Sequence, residues 1–197
     1  MIVYTATIGR RLAPQRTFPG AVMVCFSDIE PPKPWHWVPI QAHGDFTRQT
    51  RRIKLLPWEH FDNWDQCVWR DANVEVTRLP DMDADIAIHT HRDRDCIFDE
   101  AQKCIEYGKD DPGLIRAQIA KCSDHPPHWG LWETQMVYRR NTPEIRALCE
   151  DWMAEIESGS RRDQISLPVV LRRHGIRPES LGKNVWEGSR WCKRYRK

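Results

Sequence analysis

The chain has 197 residues, a length that favours one domain with a hydrophobic core of its own. Hydrophobic residues make up 40% and charged residues 29%, which is the balance of a soluble globular protein, and no segment is repetitive or of low complexity. The net charge of +2 is too small to indicate a nucleic-acid-binding protein by itself, and no run approaches 18 apolar residues, so we expect no membrane span.

Two further features bear on the cellular compartment. Seven cysteines are scattered without a C-x-x-C pair or a zinc-like spacing, which fits reduced thiols better than a disulfide framework. The chain opens with MIVYTATIG, which has a strand pattern and neither a basic n-region nor an apolar h-region. We therefore expect a cytoplasmic protein.

The first elements in chain order are predicted strands. Residues 2–9 have a strand pattern that ends at Gly9, and residues 20–28 form a second, almost wholly apolar one that ends on Asp28. Continuous apolar runs are typical of strands covered on both faces, as in a parallel α/β sheet. A proline-broken loop follows, with a short strand expected around Trp37.

The next predicted element is a helix over residues 45–58, capped near Thr47 and stopped by Pro57. Arg51 and Lys54 are three residues apart and therefore share one face of this helix. This pair is either an exposed basic face or a site that holds a diphosphate or an acidic acceptor.

The stretch CVWRDANVEV, residues 67–76, interrupts a buried strand with Asp-Ala-Asn. In an extended segment the side chains of Asp71 and Asn73 point the same way. Two such oxygens either cap a turn or hold a hard divalent cation against a phosphate. The second interpretation predicts metal-assisted transfer from a nucleotide-activated donor.

The second half of the chain continues the alternation of strands and helices. Thr142 caps the clearest helix, and Pro168 indicates a late start or a kink in the last one. The predicted elements are a strand within residues 81–91, a helix over 95–108, a strand over 131–140, and helices over 142–159 and 163–175.

Two polar clusters accompany these elements. His89 and His91 would share a face of a strand, which is compatible with a metal site but lacks a third ligand, so ordinary strand residues are the alternative. The acids within residues 93–100 suit the first turns of a helix. Asp163 either caps the last helix or, with Gln164, binds sugar hydroxyls.

Strands that alternate with helices predict an α/β sandwich with a mainly parallel sheet flanked by helices. We expect one domain over residues 1–188, followed by a basic tail over residues 189–197 that is solvated or touches phosphates. Ligands of such sheets bind beyond the carboxyl ends of the strands, where Gly9, Asp28 and residues 71–73 are expected.

Seven stretches follow one another over nearly the whole chain: IVYTATIG, VCFSD, RRIKLLP, VWRDANVEV, HRDRDCIFDEAQKCI, GLWE and SRRDQIS. In this order they resemble the TOD1/MUCI70-type glycosyltransferase-like domain family, which has many bacterial and phage relatives. The resemblance implies a Rossmann-type, GT-A-like fold, a nucleotide-sugar donor, a divalent cation (Mn²⁺ or Mg²⁺) and a D-x-D-like motif.

The resemblance also implies three groups of site residues. The implied metal ligands are Asp71, Asn73 and His91, with Glu100 orienting His91; the catalytic residues are Asp163, Gln164 and Glu133, with Asp163 or Glu133 as general base; and the donor- or diphosphate-binding residues are Arg51, Lys54, Asp71, Arg94, Arg162, Thr5, Gly9 and Asp28.

Two positions depart from the family pattern. Arg10 and Arg11 follow Gly9 where the family carries an acidic residue, which weakens any assignment of nucleobase or ribose contacts. Asn73 replaces a second Asp and lowers the negative charge of the motif, so metal affinity is expected to be modest, or metal is dispensable.

The sequence therefore predicts a glycosyltransferase that moves a sugar from a nucleotide-sugar donor, expected to be UDP-linked, to an unidentified glycan, lipid, protein or modified nucleic-acid acceptor. Two alternatives stay open. One is a non-catalytic glycan- or nucleotide-binding module on the same fold, and the other is a phage-type glycosyltransferase acting on modified DNA bases. A hydrolase is least favoured, because the residues around Ser160 lack the glycines of a nucleophile elbow.

Overall fold

The strands of the described chain, residues 1–10 and 12–195 of a computed structural model, form one large sheet and one small ribbon. Among the strands of the large sheet, β7 alone runs antiparallel to its neighbours, so the sheet is mostly parallel. The large sheet contains, in spatial order, β3 (His36–Pro39), β2 (Val22–Ser27), β1 (Ile2–Thr7), β4 (Gln66–Arg70), β7 (Trp132–Arg140), β6 (Ile86–Thr90) and β8 (Glu179–Ser180). The ribbon pairs β5 (Val74–Val76) with β9 (Cys192–Arg194).

Three helices of the described chain cover one face of the large sheet, and two more pack with them. Apolar side chains of α1, α4 and α5 pack with alternate residues of β1, β2 and β4, such as Tyr4, Phe26 and Trp69. Helices α2 and α3 pack against each other and against α5. The helices are α1 (Phe46–Leu55), α2 (Ile97–Glu106), α3 (Pro112–Ala120), α4 (Pro143–Ser158) and α5 (Asp163–Arg173).

The opposite face of the sheet is covered by the ribbon. Val3, Met23 and Val68 point to this side and form a second core cluster with ribbon residues that include Val76 and Cys192. The prediction that the central strands are buried on both faces is therefore confirmed. The cover on this second face is a β ribbon rather than another layer of helices.

Two helix starts differ from their predictions. The N-cap of α1 is Asp45, not Thr47, because the Asp45 carboxylate accepts the N–H groups of Thr47 and Arg48. Helix α5 begins at Asp163 and keeps Pro168 inside it, so the late start is wrong. An interior proline costs about 3 kcal/mol. Each buried Leu or Ile on α5 recovers about 1.5–3 kcal/mol, so its apolar face outweighs that cost.

The predicted strand over residues 67–76 is two strands. It breaks after β4, and β5 leaves the large sheet for the ribbon. Helix α3 was not predicted; it starts at Pro112, with the Asp111 carboxylate capping the N–H of Leu114. All seven cysteines are free and buried, as predicted for reduced thiols.

The basic C-terminal stretch also differs from the expectation of a solvated tail. Trp191 and Cys192 are buried, and β9 pairs with β5, so this stretch belongs to the fold as far as Tyr195. The rest of the predicted tail, residues 196–197, lies outside the described residues. None of the helices in the described ranges has the length and apolar character needed to cross a membrane.

Candidate functional site

The Asp71–Asn73 segment is a tight turn at the carboxyl end of β4. The N–H of Asp71 donates to the carbonyl of Gln135 on β7 at 2.8 Å, and the N–H of Val74 donates to the carbonyl of Asp71 at 2.9 Å. The indole N–H of Trp69 donates to Asp71 Oδ1 at 2.9 Å and fixes the carboxylate. The segment is thus a turn closed by backbone groups, and the question is what this turn faces.

The turn lines a cleft of about 700 Å³, called here the first cleft. Two neighbouring segments are bound to the turn: Ala13 N–H donates to the carbonyl of Ala72 at 2.7 Å, and Tyr195 N–H donates to that of Asn73 at 2.8 Å. The first cleft is lined by the end of β1 and the segment after it (Ala6, Thr7, Ile8, Gly9, Arg10, Leu12, Ala13 and Pro14), α1 (Phe46, Thr47, Thr50 and Arg51), and Trp69, Asp71, Ala72, Asn73, Gln135 and Tyr195.

A second cleft, of about 380 Å³, adjoins the first. The two clefts share Arg51, Asp71 and Gln135 in their walls, so the turn stands where they meet. The second cleft is richly charged, and its ionisable lining residues are Arg51, Asp71, His91, Arg92, Asp93, Arg94, Glu100, Lys103, Cys104, Tyr107, Lys109, Glu133, Arg162 and Asp163.

Asp163 is the centre of a buried ionic network in the second cleft. Lys54 Nζ donates to Asp163 Oδ2 at 2.6 Å, Thr134 Oγ1–H donates to the same oxygen at 2.7 Å, and Arg51 Nη2 lies 3.3 Å from Oδ1. Burial by itself would raise the pKa of Asp163, but the charges of Arg51, Lys54 and Arg162 hold it well below its usual range. Asp163 is therefore ionised near neutral pH, with both oxygens occupied.

Lys54 completes this network from behind the cleft wall. Its ammonium also donates to the carbonyl of Thr134 at 2.7 Å, and its side chain is fully buried. Burial lowers the pKa of Lys54 to about 8, although Asp163 opposes that shift. The residue lines neither cleft, so it acts on a ligand through Asp163 and Arg51 rather than by contact.

The position of Lys54 is set by the end of α1. The guanidinium of Arg139, on β7, donates to the carbonyls of Lys54 and Leu55 and to the hydroxyl of Tyr4. Tyr4 in turn donates to the carbonyl of Lys54 at 2.5 Å. A cation at a helix C-terminus satisfies its last carbonyls and its dipole. These contacts fix α1 on the sheet and aim its basic residues at Asp163.

Glu133, at the start of β7, is another buried carboxyl of this cleft. It is 6% exposed, and its Oε2 has no hydrogen-bond partner among the described residues. Burial raises the pKa of Glu133 to about 7; Asp93 and Glu187 raise it further, and Arg92 opposes them. A carboxyl with such a pKa exchanges a proton near neutrality.

Hydrogen bonds of His91 and its neighbours hold together the loop that follows β6. His91 Nδ1 accepts the N–H groups of Asp93 and Arg94 at 3.2 and 3.1 Å, and Arg94 pairs with Glu100 Oε2 at 2.7 Å. Arg94 Nη2 also lies 3.2 Å from His91 Nε2, so both ring nitrogens are engaged within the loop, and burial lowers the pKa of His91. The three predicted metal ligands do not all line one cleft, because His91 lines only the second and Asn73 only the first.

The remaining predicted residues divide between the clefts and the interior. Arg162 and Gln164 line the second cleft and bond to each other at 2.8 Å. Gly9 lines the first cleft, and its N–H donates to the Asp28 carboxylate at 3.0 Å. Asp28 lines neither cleft and ties β2 to the segment after β1, while Thr5 is fully buried within β1.

The donor atoms at the turn suit a weakly held hard cation. Asp71 offers one carboxylate and Asn73 one amide oxygen, both half-buried at the first cleft. In the described part of the chain, no third His, Cys, Asp or Glu completes a tight cluster with Asp71. Mg²⁺ is commonly held by one or two protein oxygens together with substrate phosphates and water. The residues fit such a cation, provided that a diphosphate supplies further ligands.

Sequence reasoning missed Gln135. It borders both clefts, its Oε1 is buried without a partner among the described residues, and its carbonyl holds the Asp71 turn. Glu133 and Gln135 are two residues apart on a strand, so their side chains share a face. The E-x-Q pattern at the start of the predicted strand could have identified Gln135 from the sequence.

Neither the models of known protein families nor the curated proteins with which the chain was compared match it. The chemistry of the two clefts is therefore the basis on which a function is assigned.

Proposed function

We propose that this protein is a glycosyltransferase with a GT-A-like fold that binds a nucleotide sugar, with UDP as its first-choice nucleotide, in the first cleft and an acceptor hydroxyl in the second. One observation carries the proposal. The Asp71 turn stands where the two clefts meet, with Arg51 in the wall of both clefts and Glu133, whose pKa is raised by burial to about 7, in the wall of the second.

The topology of the sheet supports a nucleotide site at the first cleft. From β1 the chain order runs outward to β2 and β3 on one side, and β4 lies on the other side. In open α/β sheets, ligands bind at such a switch point, beyond the carboxyl ends of the strands. The first cleft is lined by the segments that follow β1 and β4, residues 8–10 and 71–73.

Donor binding is assigned to the turn and to α1. Asp71 and Asn73 would hold Mn²⁺ or Mg²⁺, which when bound neutralises charge on the diphosphate leaving group. Arg51 lines both clefts and keeps its Nε without a partner among the described residues. Asp163 pairs with Arg51 at 3.3 Å and is itself held by Lys54, so the Arg51 guanidinium is ready to contact a phosphate.

Acceptor activation is assigned to Glu133. In its carboxylate form it takes the proton of the acceptor hydroxyl as that oxygen bonds to the anomeric carbon. The bond from the anomeric carbon to the diphosphate breaks at the same time, and the diphosphate leaves with the electron pair. A single displacement of this kind inverts the anomeric configuration. Asp163 is unsuited as the base, since its oxygens are occupied and its pKa is held so far below the usual range that it has little tendency to accept a proton.

The direct test is a thermal-shift panel of nucleoside diphosphates and nucleotide sugars, with and without Mn²⁺. A ligand at 100 times its Kd adds about 2.7 kcal/mol, and each kcal/mol raises the Tm by about 2–4 °C in a domain of this size. We expect a Mn²⁺-dependent rise with one nucleotide, lost in Asp71→Asn.

The matched control for this panel is Asp62→Asn, at an exposed Asp that lines neither cleft. This variant keeps the nucleotide-dependent rise if the proposal is correct. A wild-type protein that no nucleotide stabilises, or a rise that survives in Asp71→Asn, contradicts the donor site.

One specific observation favours the alternative of a non-catalytic binding module. Asn73 is neutral, and Asp71 Oδ1 already accepts a hydrogen bond from Trp69, so the turn presents little negative charge. A binding module would show the nucleotide-dependent rise without Mn²⁺ and no release of nucleoside diphosphate in the presence of any acceptor. The DNA-modifying alternative predicts binding that falls steeply with salt concentration.

A further inference from the structure

A group of three potential metal-binding side chains lies outside both clefts. Cys96, Asp99 and His128 bring a thiol, a carboxylate and a ring nitrogen within 4.8 Å of one another. None of the three lines either cleft, and the resemblance implies no role for them. Cys96 is buried, while Asp99 and His128 reach the surface. We propose that these three residues form a site for a single Zn²⁺ ion.

Two of the donors come from the start of α2. Cys96 is the N-cap of this helix, but its side chain caps no backbone N–H, so the sulfur is not used within the helix. Asp99 is three residues further on, in the first turn, which places it on the same face as Cys96.

The third donor comes from the loop between α3 and β7. This loop is attached next to the site, because the N–H of Gly130 donates to the carbonyl of Asp95 at 2.9 Å. His128 has a φ of 56°, in the left-handed region that residues other than glycine rarely adopt. That backbone conformation turns His128 toward α2, and the contacts of the loop maintain it.

Asp95 gives His128 the partner that a metal-binding imidazole usually has. Its Oδ1 lies 2.6 Å from His128 Nδ1. Histidine ligands of metals commonly donate their other ring N–H to a carboxylate, which fixes the tautomer and makes the free nitrogen a better donor. With the proton on Nδ1, the lone pair of the neutral ring is on Nε2.

The combination of donors selects the ion. Thiolate and imidazole favour Zn²⁺ over Mg²⁺ or Ca²⁺, which prefer oxygen ligands. Three protein ligands leave one tetrahedral position for water. A bound Zn²⁺ would fasten the loop before β7 to the start of α2, and β7 begins one residue before Glu133.

Metal titration tests the site directly. Co²⁺, which substitutes for Zn²⁺ and is coloured when bound by thiolate, is added to the full-length protein after treatment with a chelator. We expect one equivalent to bind with a thiolate-to-cobalt charge-transfer absorption, and one equivalent of Zn²⁺ to abolish it. Cys96→Ser removes the absorption, and His128→Asn lowers the Co²⁺ affinity at least tenfold.

Cys122→Ser is the matched control, because Cys122 is also buried and free but is not in the cluster. It keeps the absorption and the stoichiometry. His128 and Asp99 are exposed, so their variants fold even if Cys96→Ser does not. A wild type that binds no Co²⁺ through sulfur, or an absorption that survives in both Cys96→Ser and His128→Asn, overturns the site. Nucleotide binding at Asp71 is independent of this result.

Discussion

Asp163 and Glu133 are two buried carboxyls in the wall of the same cleft, and they differ in their partners. Asp163 is surrounded by Arg51, Lys54 and Arg162, whose charges keep its pKa well below the usual range despite burial. Glu133 has one oxygen without a partner among the described residues, and burial raises its pKa to about 7. Burial alone therefore does not assign a role to a carboxyl.

This difference in partners distinguishes a carboxyl that stabilises the structure of the site from one that can exchange a proton. A carboxylate enclosed by cations positions those cations and has little tendency to accept a proton. A carboxyl without such partners is held near the pH at which a general base is most effective. Pairs of groups whose environments push their pKa values apart mark the acid–base assignments of a site.

Glu133→Gln is expected to have the largest effect. Removal of a general base lowers kcat by about 10²–10⁴-fold, and the folded structure tolerates the change because Gln matches Glu in size. The measurement is the release of nucleoside diphosphate from the donor identified by the thermal-shift panel. Adding Gln164→Glu to this variant should not restore activity, because the side chain of Gln164 is bonded to Arg162. Turnover at the wild-type rate in Glu133→Gln would remove Glu133 as the base.

Asp163→Asn is expected to lower the free energy of unfolding by about 3–5 kcal/mol, because it leaves the buried Lys54 and Arg51 without their counter-charge. Asp163 has a depressed pKa in the folded state, so its stabilisation is present above its unfolded pKa of about 3.8 and is lost only in stronger acid. Between pH 5 and 7 the ionisation of Asp163 therefore adds no pH dependence of its own to the stability of the wild type. Urea denaturation measures the loss of stability in Asp163→Asn.

The control for this loss is Asp124→Asn. Asp124 pairs with Arg172 at 3.2 Å, but both side chains are exposed. Exposed pairs contribute about 0–1 kcal/mol, so this variant should remain close to the wild type. Equal losses in the two variants would show that Asp163 has no special place in the core.

Glu133 should also make the free energy of unfolding depend on pH, with a smaller effect than that of Asp163→Asn and with the opposite sign to the contribution of Asp163. Its folded pKa of about 7 lies above the ordinary value of 4.5, so the native state holds the proton more tightly than the unfolded chain. Its contribution to the free energy of unfolding is present below pH 4.5, falls as the pH rises to about 7, and is constant above that. Stability curves of wild type and Glu133→Gln should diverge in this window and run parallel above it.

The smallest expected effect is a small shift in the pKa of Glu133. Arg92 lowers the pKa of Glu133 and Glu187 raises it. Arg92→Gln should therefore move the midpoint of the pH–rate profile upward by a fraction of a pH unit, and Glu187→Gln should move it downward. Added salt should shrink both shifts, because these charges are screened by solvent. Shifts in the same direction in both variants would contradict the proposed electrostatics.

The elements that the sequence predicted are those with a local pattern. The apolar runs of β1 and β2 and the helical stripe of α4 need no information from elsewhere in the chain, and all three are present. Helix α3 has a weak pattern, with only Ile115 and Gln118 buried, and was missed. The β5–β9 pairing joins residues 74–76 to residues 192–194, a separation that no local pattern encodes.

The candidate site shows the same limit. The Asp71–Asn73 turn and the basic residues of α1 were visible as short motifs, and the structure brings Asp71 and Arg51 to the same clefts. The different environments of Asp163 and Glu133 depend on contacts with α1, β6 and the loop after it, which the sequence does not reveal. The grouping of Cys96, Asp99 and His128 is non-local for the same reason.

The most direct test of this account is a carboxyl titration by ¹³C NMR, with Glu133→Gln and Asp163→Asn used to assign the two resonances. The account predicts that Glu133 titrates near pH 7 and that Asp163 stays ionised, with no change in its resonance between pH 4 and pH 8. A Glu133 resonance that titrates near its ordinary value of 4.5, or an Asp163 resonance that titrates within this range, would contradict the division of roles between the two carboxyls.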